Sequence, residues 1–236
     1  MPIKKIINNF HQLGAIEGGW YCLAVFLRKT SRDHIKLFRY IFVAQPIPNS
    51  PSTFLRPTSK IDVGFVTLND PLVGAFPPPY KVIKKRFDDG NICIAAKNEG
   101  RFAGYIWIAN DRYDEDEVRC RYQLGVQNNS VWDFDVYVHP EYRLGRCLAR
   151  LWDFTSAYLT HTGKKWSFSR IAASNLGSMR SHRRLGIRTL FTASFFCIGD
   201  FQLMLSLHKP FIHISFSSSQ IPTLYFDIRS SNVDTE

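Results

Sequence analysis

The sequence predicts an α/β fold: a mixed, mostly antiparallel central sheet flanked by helices, with a helical extension at the N-terminus. Three observations carry that prediction. Short runs of alternating apolar and polar residues recur from Ile61 onward. Two stretches with helical spacing, 150–162 and 176–185, interrupt them. The first of these lies between two strand-like runs, which is the pattern of a crossover.

Taken in order, "GWYCLAVFLRKTSRDHIKLFRY" in the first 45 residues has helical text with basic residues after the apolar ones. It reads as a packed appendage helix or a helix–strand pair. A helix lying on an anionic membrane surface, with Trp20 and Tyr21 at the interface, is the alternative. Prolines and serines from Val43 to Ser59 mark a linker. "IDVGFVTL" alternates as a strand, and "NDPLVGAFPPPYKVIKKRFDDG" is a broken helical segment stopped at Gly90. "NICIAA" and "RFAGYIWIA" form a hairpin around Lys97–Gly100. "EVRCRYQL" and "SVWDFDVYV" are further strands, and "KWSFSRIAA" follows the first helix. The second helix starts after an Asn175 N-cap and ends at Gly186. "RTLFTASFFCIG" and "DFQLMLSL" close the series as a hairpin, and the serine-rich tail after Lys209 has only weak strand character. The expected division is an extension and linker over 1–58, a catalytic-type domain over 59–208 and a tail over 209–236.

The formal charge is +10, and the sequence pI is near 9.5. Such a balance points to an anionic partner. Residues 139–190 concentrate ten Lys and Arg against Glu141 and Asp153, while Asp114–Glu117 reads "DEDE". No nucleic-acid motif accompanies the basic segment, so no nucleic-acid partner is expected. The five cysteines, at 22, 93, 120, 147 and 197, are odd in number and widely spaced. They read as reduced core thiols of a cytoplasmic protein, neither a disulfide framework nor a metal site. No metal is expected, and no cleavable signal is evident. A peripheral membrane contact and a homodimer are left open.

The densest chemistry lies in "WDFDVYVHPEYRLGRCLARLWDF", from Trp132. A strand, a basic turn containing glycine and then a helix make an anion site, because a helix start offers backbone N–H groups and the positive end of its dipole. Asp133, Asp135 and Tyr137 alternate on one strand face. Acids in an apolar strand are costly unless paired or used. Pairing with Arg119 or Arg121 and a role as general base are both open. Glu117 is a second candidate base. The "DEDE" run is either a solvated loop or an attractor for a cationic amine. His139 lacks a partner at metal spacing, and Ser167 and Ser169 lack a nucleophile setting.

From about Ile61 to Leu207 the chain resembles the GNAT superfamily of acetyl-CoA-dependent N-acetyltransferases. Three places carry the resemblance: the "HPEYR" turn between strand and helix, "SNLGSMRSHRRLGIR" after the next strand, and "GYIWI" in the hairpin. The resemblance implies acetyl-CoA as acyl donor and a small amine or amino sugar as acceptor, by direct transfer in a ternary complex. It implies that Tyr142, Arg143, Leu144, Gly145, Arg146, Cys147, Leu148 and Ala149 hold the cofactor phosphates. Val136 and Val138 would then bond pantetheine through their backbone, with Asn175 and Ser178 nearby. His182 stands where the family often has the tyrosine that acts as general acid. With Glu117 and Asp135 as candidate bases, these are the catalytic residues the resemblance implies. The family's turn has small residues where this chain has Arg146 and Leu148. That departure keeps two other readings in play: a degenerate binding module, and a transferase using a longer acyl donor at a membrane surface.

Overall fold

The computed structural model describes residues 10, 12–49, 60–143 and 145–227. Its helices are α1 (Ala15–Thr30), α2 (Tyr80–Asp88), α3 (Cys147–His161) and α4 (Leu176–Arg184). Its strands are β1 (Ile35–Pro46), β2 (Ile61–Val66), β3 (Ile92–Asn98), β4 (Arg101–Ala109), β5 (Arg112–Asp114) and β6 (Arg121–Leu124). They continue with β7 (Ser130–Val138), β8 (Trp166–Ala172), β9 (Arg188–Ile198), β10 (Phe201–Ser206), β11 (Ile212–Ser215) and β12 (Thr223–Phe226). The fold is mixed α/β, and most strand pairs are antiparallel. The chain divides into two compact units: one of residues 1–45, 112–125 and 168–236, the other of residues 46–111 and 126–167.

In the second unit the strands run in the order β7–β4–β3–β2. The β3–β4 hairpin turns at Glu99 and Gly100, both at positive φ. This is the geometry whose twist suits a two-residue hairpin loop. The broken helical segment also forms. Asp70 caps a short 3-10 turn, Pro71–Ala75, through Leu72 N–H at 2.8 Å, and α2 follows from Pro79. One sheet face packs α3 through Ile94, Ala103, Ile106, Ile108, Val131, Leu151 and Trp152. The other carries aromatics: Phe76, Phe87, Phe102, Tyr105, Trp107, Phe134 and Tyr137. The helix α3 begins at Cys147, three residues before the expected Arg150. Pro140 confines the preceding turn to Pro140–Tyr142, and no breaker follows Gly145 to delay the helix.

In the first unit the sheet order is β11–β10–β9–β1–β8, beside a small sheet β12–β6–β5. The N-terminal text becomes the helix–strand pair α1 and β1. Trp20 does not stand at an open interface: the Arg39 guanidinium of β1 lies over its ring at 5.3 Å and bonds both Glu17 oxygens at 2.8–2.9 Å. No helix among the described residues is long and apolar enough to cross a membrane.

Three expectations are corrected in this unit. The run "EVRCRYQL" is strand only over Arg121–Leu124, because Glu115 turns back to accept the N–H groups of Asp116 and Glu117. The tail is not poorly packed. Its β12 pairs parallel with β6, and Leu224 and Phe226 are buried, Phe226 among Phe42, Tyr122, Phe168 and Phe191. Partners a hundred residues away supply that burial, and local periodicity cannot register them. A third is the linker expected from Val43 to Ser59: its start is the end of β1, where Val43 and Ala44 are buried and pair with Thr189 and Arg188 of β9, and residues 50–59 lie outside the described residues.

Candidate functional site

The strand β7 is where chemistry concentrates in the second unit. Its register against β4 runs Trp132, Asp133 and Phe134 opposite Ala109, Ile108 and Trp107, then resumes with Tyr137 opposite Tyr105. Asp135 and Val136 together therefore stand opposite Ile106 alone, a β-bulge. Asp135 takes φ 45°, a left-handed conformation that side-chain-bearing residues adopt at a cost. The bulge corrects the expectation that Asp133 and Asp135 share a face, because one extra residue inverts the alternation. Asp133 is buried and accepts from the Ser167 hydroxyl at 2.6 Å. Asp135 joins the aromatic face instead.

There its Oδ2 accepts from Arg86 of α2 at 2.5 Å and from the Tyr105 hydroxyl at 2.9 Å. The Arg86 guanidinium lies over Trp107 and Phe134, which holds it in place. Arg119 and Arg121, the partners expected from sequence, are engaged elsewhere: Arg119 donates to the Asp200 carbonyl and Arg121 pairs with Asp114. Burial, then the Asp135 charge, push the Tyr105 hydroxyl well above its ordinary range. Tyr105 thus stays protonated and donates. Asp135 retains a side chain 33% exposed, so a carboxylate fixed by two donors still faces solvent. Sequence reasoning missed Arg86 and Tyr105: Arg86 is one of four cations on α2 with no local mark, and the bulge alone brings Tyr105 to it.

Gly104 of β4 sits opposite Val138, and a Cβ there would stand 2.5 Å from the Tyr137 carbonyl oxygen. The close approach of β7 to β4 requires this glycine. Gly104→Ala is expected to destabilise the protein by about 1–3 kcal/mol, read as a lower urea midpoint at unchanged slope.

Below the bulge the chain passes through the Pro140–Tyr142 turn into α3. The helix opens at Cys147 behind an Arg146 N-cap with no side-chain cap bond, and its first turn closes with Arg150 N–H on the Arg146 carbonyl at 2.9 Å. The N–H groups of Cys147, Leu148 and Ala149 therefore precede the first closed turn. Arg143 and Arg146 are exposed beside them, and Gly145 lies between. Arg143 Nε donates to the Val138 carbonyl at 3.0 Å, so that expected pantetheine acceptor already has a donor. The Cys147 thiol is pushed up to about 11 by burial and is a packing group, as its sequence context implied. Val136, Val138, Tyr142 and Leu148 flank the α3 core. Leu144 lies outside the described residues.

The remaining expected residues belong to the first unit. Asn175 caps α4, its Oδ1 accepting from Ser178 N–H at 3.0 Å. His182 is buried on α4, with Nδ1 2.8 Å from the Ser178 carbonyl oxygen. A carbonyl only accepts, so Nδ1 carries the proton, and Nε2 is the nitrogen through which a reacting group would exchange one. Glu117 accepts from the Tyr40 hydroxyl and from Arg170, each at 2.8 Å. Arg170 also binds Glu115 through two nitrogens, at 2.7 and 2.9 Å, and lies over the Tyr40 ring. The "DEDE" run is thus a folded loop anchored on the half-buried Arg170. With Asp33, His34, Lys36 and Arg119 it lines a cavity of about 480 Å³.

No family model matches this chain, and no curated protein does. Solved structures do. One is a protein of Novosphingobium aromaticivorans assigned to the GNAT family of acetyltransferases, at 19% identity and TM-score 0.47, covering 67% of this chain and 63% of its own. A Drosophila protein is similar at 11% identity and TM-score 0.49, covering 75% of this chain and 57% of its own. An aminoglycoside acetyltransferase from a soil metagenome is similar at 12% identity and TM-score 0.38, covering 53% of this chain and 86% of its own. The chain spans about three fifths of the length of the first two.

Proposed function

We propose that this chain is an acetyl-CoA-dependent N-acetyltransferase acting on a small amine or amino sugar by direct transfer. The observation that supports it most is the α3 start: an uncapped helix N-terminus beside Arg143 and Arg146, entered directly from a bulged strand that bears a solvent-facing carboxylate. A helix N-terminus with two flanking cations suits a pyrophosphate, so the residues present fit the CoA group.

Bound acetyl-CoA supplies a thioester whose acyl carbon the amine attacks. The backbone of residues 145–149, with Arg143 and Arg146, holds the phosphates in this reading. Asp135, kept in place by Arg86 and Tyr105, takes the proton that the attacking amine must lose. Glu117 is the alternative base, although Arg170 and Tyr40 both already bind it. In the first unit His182, with Nδ1 tied to its own helix, is the candidate proton donor, through Nε2. A longer acyl donor is a variant of the same chemistry.

One observation favours a second reading, a domain of this fold that binds without transferring: Arg143 is already engaged by the Val138 carbonyl, and Arg146 occupies the N-cap.

The test is thermal unfolding with and without CoA and acetyl-CoA. A ligand that binds only the native state, at about 100 times its Kd, is expected to raise the wild-type midpoint by roughly 5–10 °C. The Arg143→Ala/Arg146→Ala variant is expected to lose most of that rise. An unchanged midpoint at saturating ligand rejects acetyl-CoA as donor. That same result selects the second reading, whereas a rise without thiol release across an amine panel keeps CoA binding and rejects transfer.

A further inference from the structure

The outer face of β10 and β11, with Phe196 and Ile198 at the end of β9, is apolar where an antiparallel sheet facing water alternates to polar. Residues directly opposite on neighbouring strands share a face, as do alternate residues along one strand. Leu203 stands opposite Phe196 and Ile214, Leu205 opposite Ile212, and Phe201 opposite Ile198. Alternation extends this face to Leu207 and to Phe216, whose ring meets Phe201 at 5.6 Å. The inner face of the same strands is filled: Gln202, Met204 and Ser215 are buried. The outer face is open. Ile198 is 41% exposed, Leu205 44%, Leu207 75%, Ile212 64%, Ile214 49% and Phe216 68%.

These six side chains present on the order of 600 Å² of apolar surface, at the upper limit of the largest patch on an ordinary monomer. β11 is also the terminal strand of its sheet, and its sequence "IHIS" has neither the lysine nor the proline that blunts an edge.

We infer that this face is the interface of a two-fold dimer with a second copy of the chain. Two such faces packed together bury about 1,200 Å² of apolar area, within the range of stable interfaces before any polar rim is added. A flat face on its own copy is self-complementary, as two-fold symmetry requires. An anionic lipid surface fits less well, because it calls for cations around the apolar area. Neither β10 nor β11 contains Lys or Arg, and Lys209 stands alone in the turn between them.

The test is sedimentation equilibrium of the full chain across about 1–100 µM, a range spanning a micromolar Kd. The wild type is expected at the mass of two 27.3 kDa chains. Ile212→Lys/Ile214→Lys is expected at the mass of one, with near-UV circular dichroism unchanged. If that variant does not fold, Ile212→Thr/Ile214→Thr keeps β-branched residues in the strand, and a dimer weakened at least about 10-fold is expected. A wild type that stays single throughout overturns the inference, as does a dimer of unchanged affinity in a folded variant. A single chain that co-sediments with phosphatidylglycerol vesicles overturns it in favour of lipid.

Discussion

Asp135→Asn is expected to slow acetyl transfer by about 10²–10⁴-fold, the usual contribution of a positioned general base, while CoA binding persists. The substitution isolates the chemistry because the site can keep its shape. Asparagine tolerates the left-handed backbone that Asp135 adopts at φ 45°. Its amide oxygen can accept from Arg86 and Tyr105 as the carboxylate does, but it cannot take a proton from an amine. The measurement is single-turnover thiol release with the CoA-induced midpoint shift as control. A rate within a few-fold of wild type removes Asp135 from the chemistry. If Glu117→Gln then gives the large loss, the base lies in the first unit. A loss of the CoA shift together with the rate would mean that the substitution had disturbed the bulge and tested nothing but folding of β7.

The largest effect on stability is expected at Arg170. Its guanidinium binds Glu115 through two nitrogens, Glu117 through one and the Tyr40 ring from above. The Glu115 side chain is 1% exposed. Arg170→Met removes the guanidinium that binds that carboxylate and leaves a charge where water cannot reach it. Breaking a buried pair in this way costs about 3–5 kcal/mol, whereas water and salt screen an exposed pair such as Lys60–Glu99 and little is lost with it. Removing the stranded charge as well, in Glu115→Gln/Arg170→Met, is expected to recover much of the loss. Urea unfolding of wild type, single and double variants reads both effects. A single-variant loss below about 1 kcal/mol would show that water screens Glu115.

Elements with strong local causes can be read from the amino-acid order alone. The β3–β4 hairpin follows from a turn ending in glycine, α4 from an asparagine cap and a closing Gly186, and the broken helix before β3 from Asp70, Pro79 and Gly90. The passage from β7 into α3 was legible for the same reason: a strand, a proline turn and a helix lie consecutively within some twenty residues. Features that depend on residues far apart in the chain emerge only in the folded molecule. One extra residue in β7 turned Asp135 away from the face it shares with Asp133 by alternation, and gave it Arg86 and Tyr105 as partners, 49 and 30 positions away. Arg170 gathered the "DEDE" run from more than fifty residues upstream. The tail acquired its core position by pairing with β6. Local propensity and periodicity sense neighbours along the chain. Register, charge pairing and burial are set by neighbours in space, and those form only when the chain closes on itself.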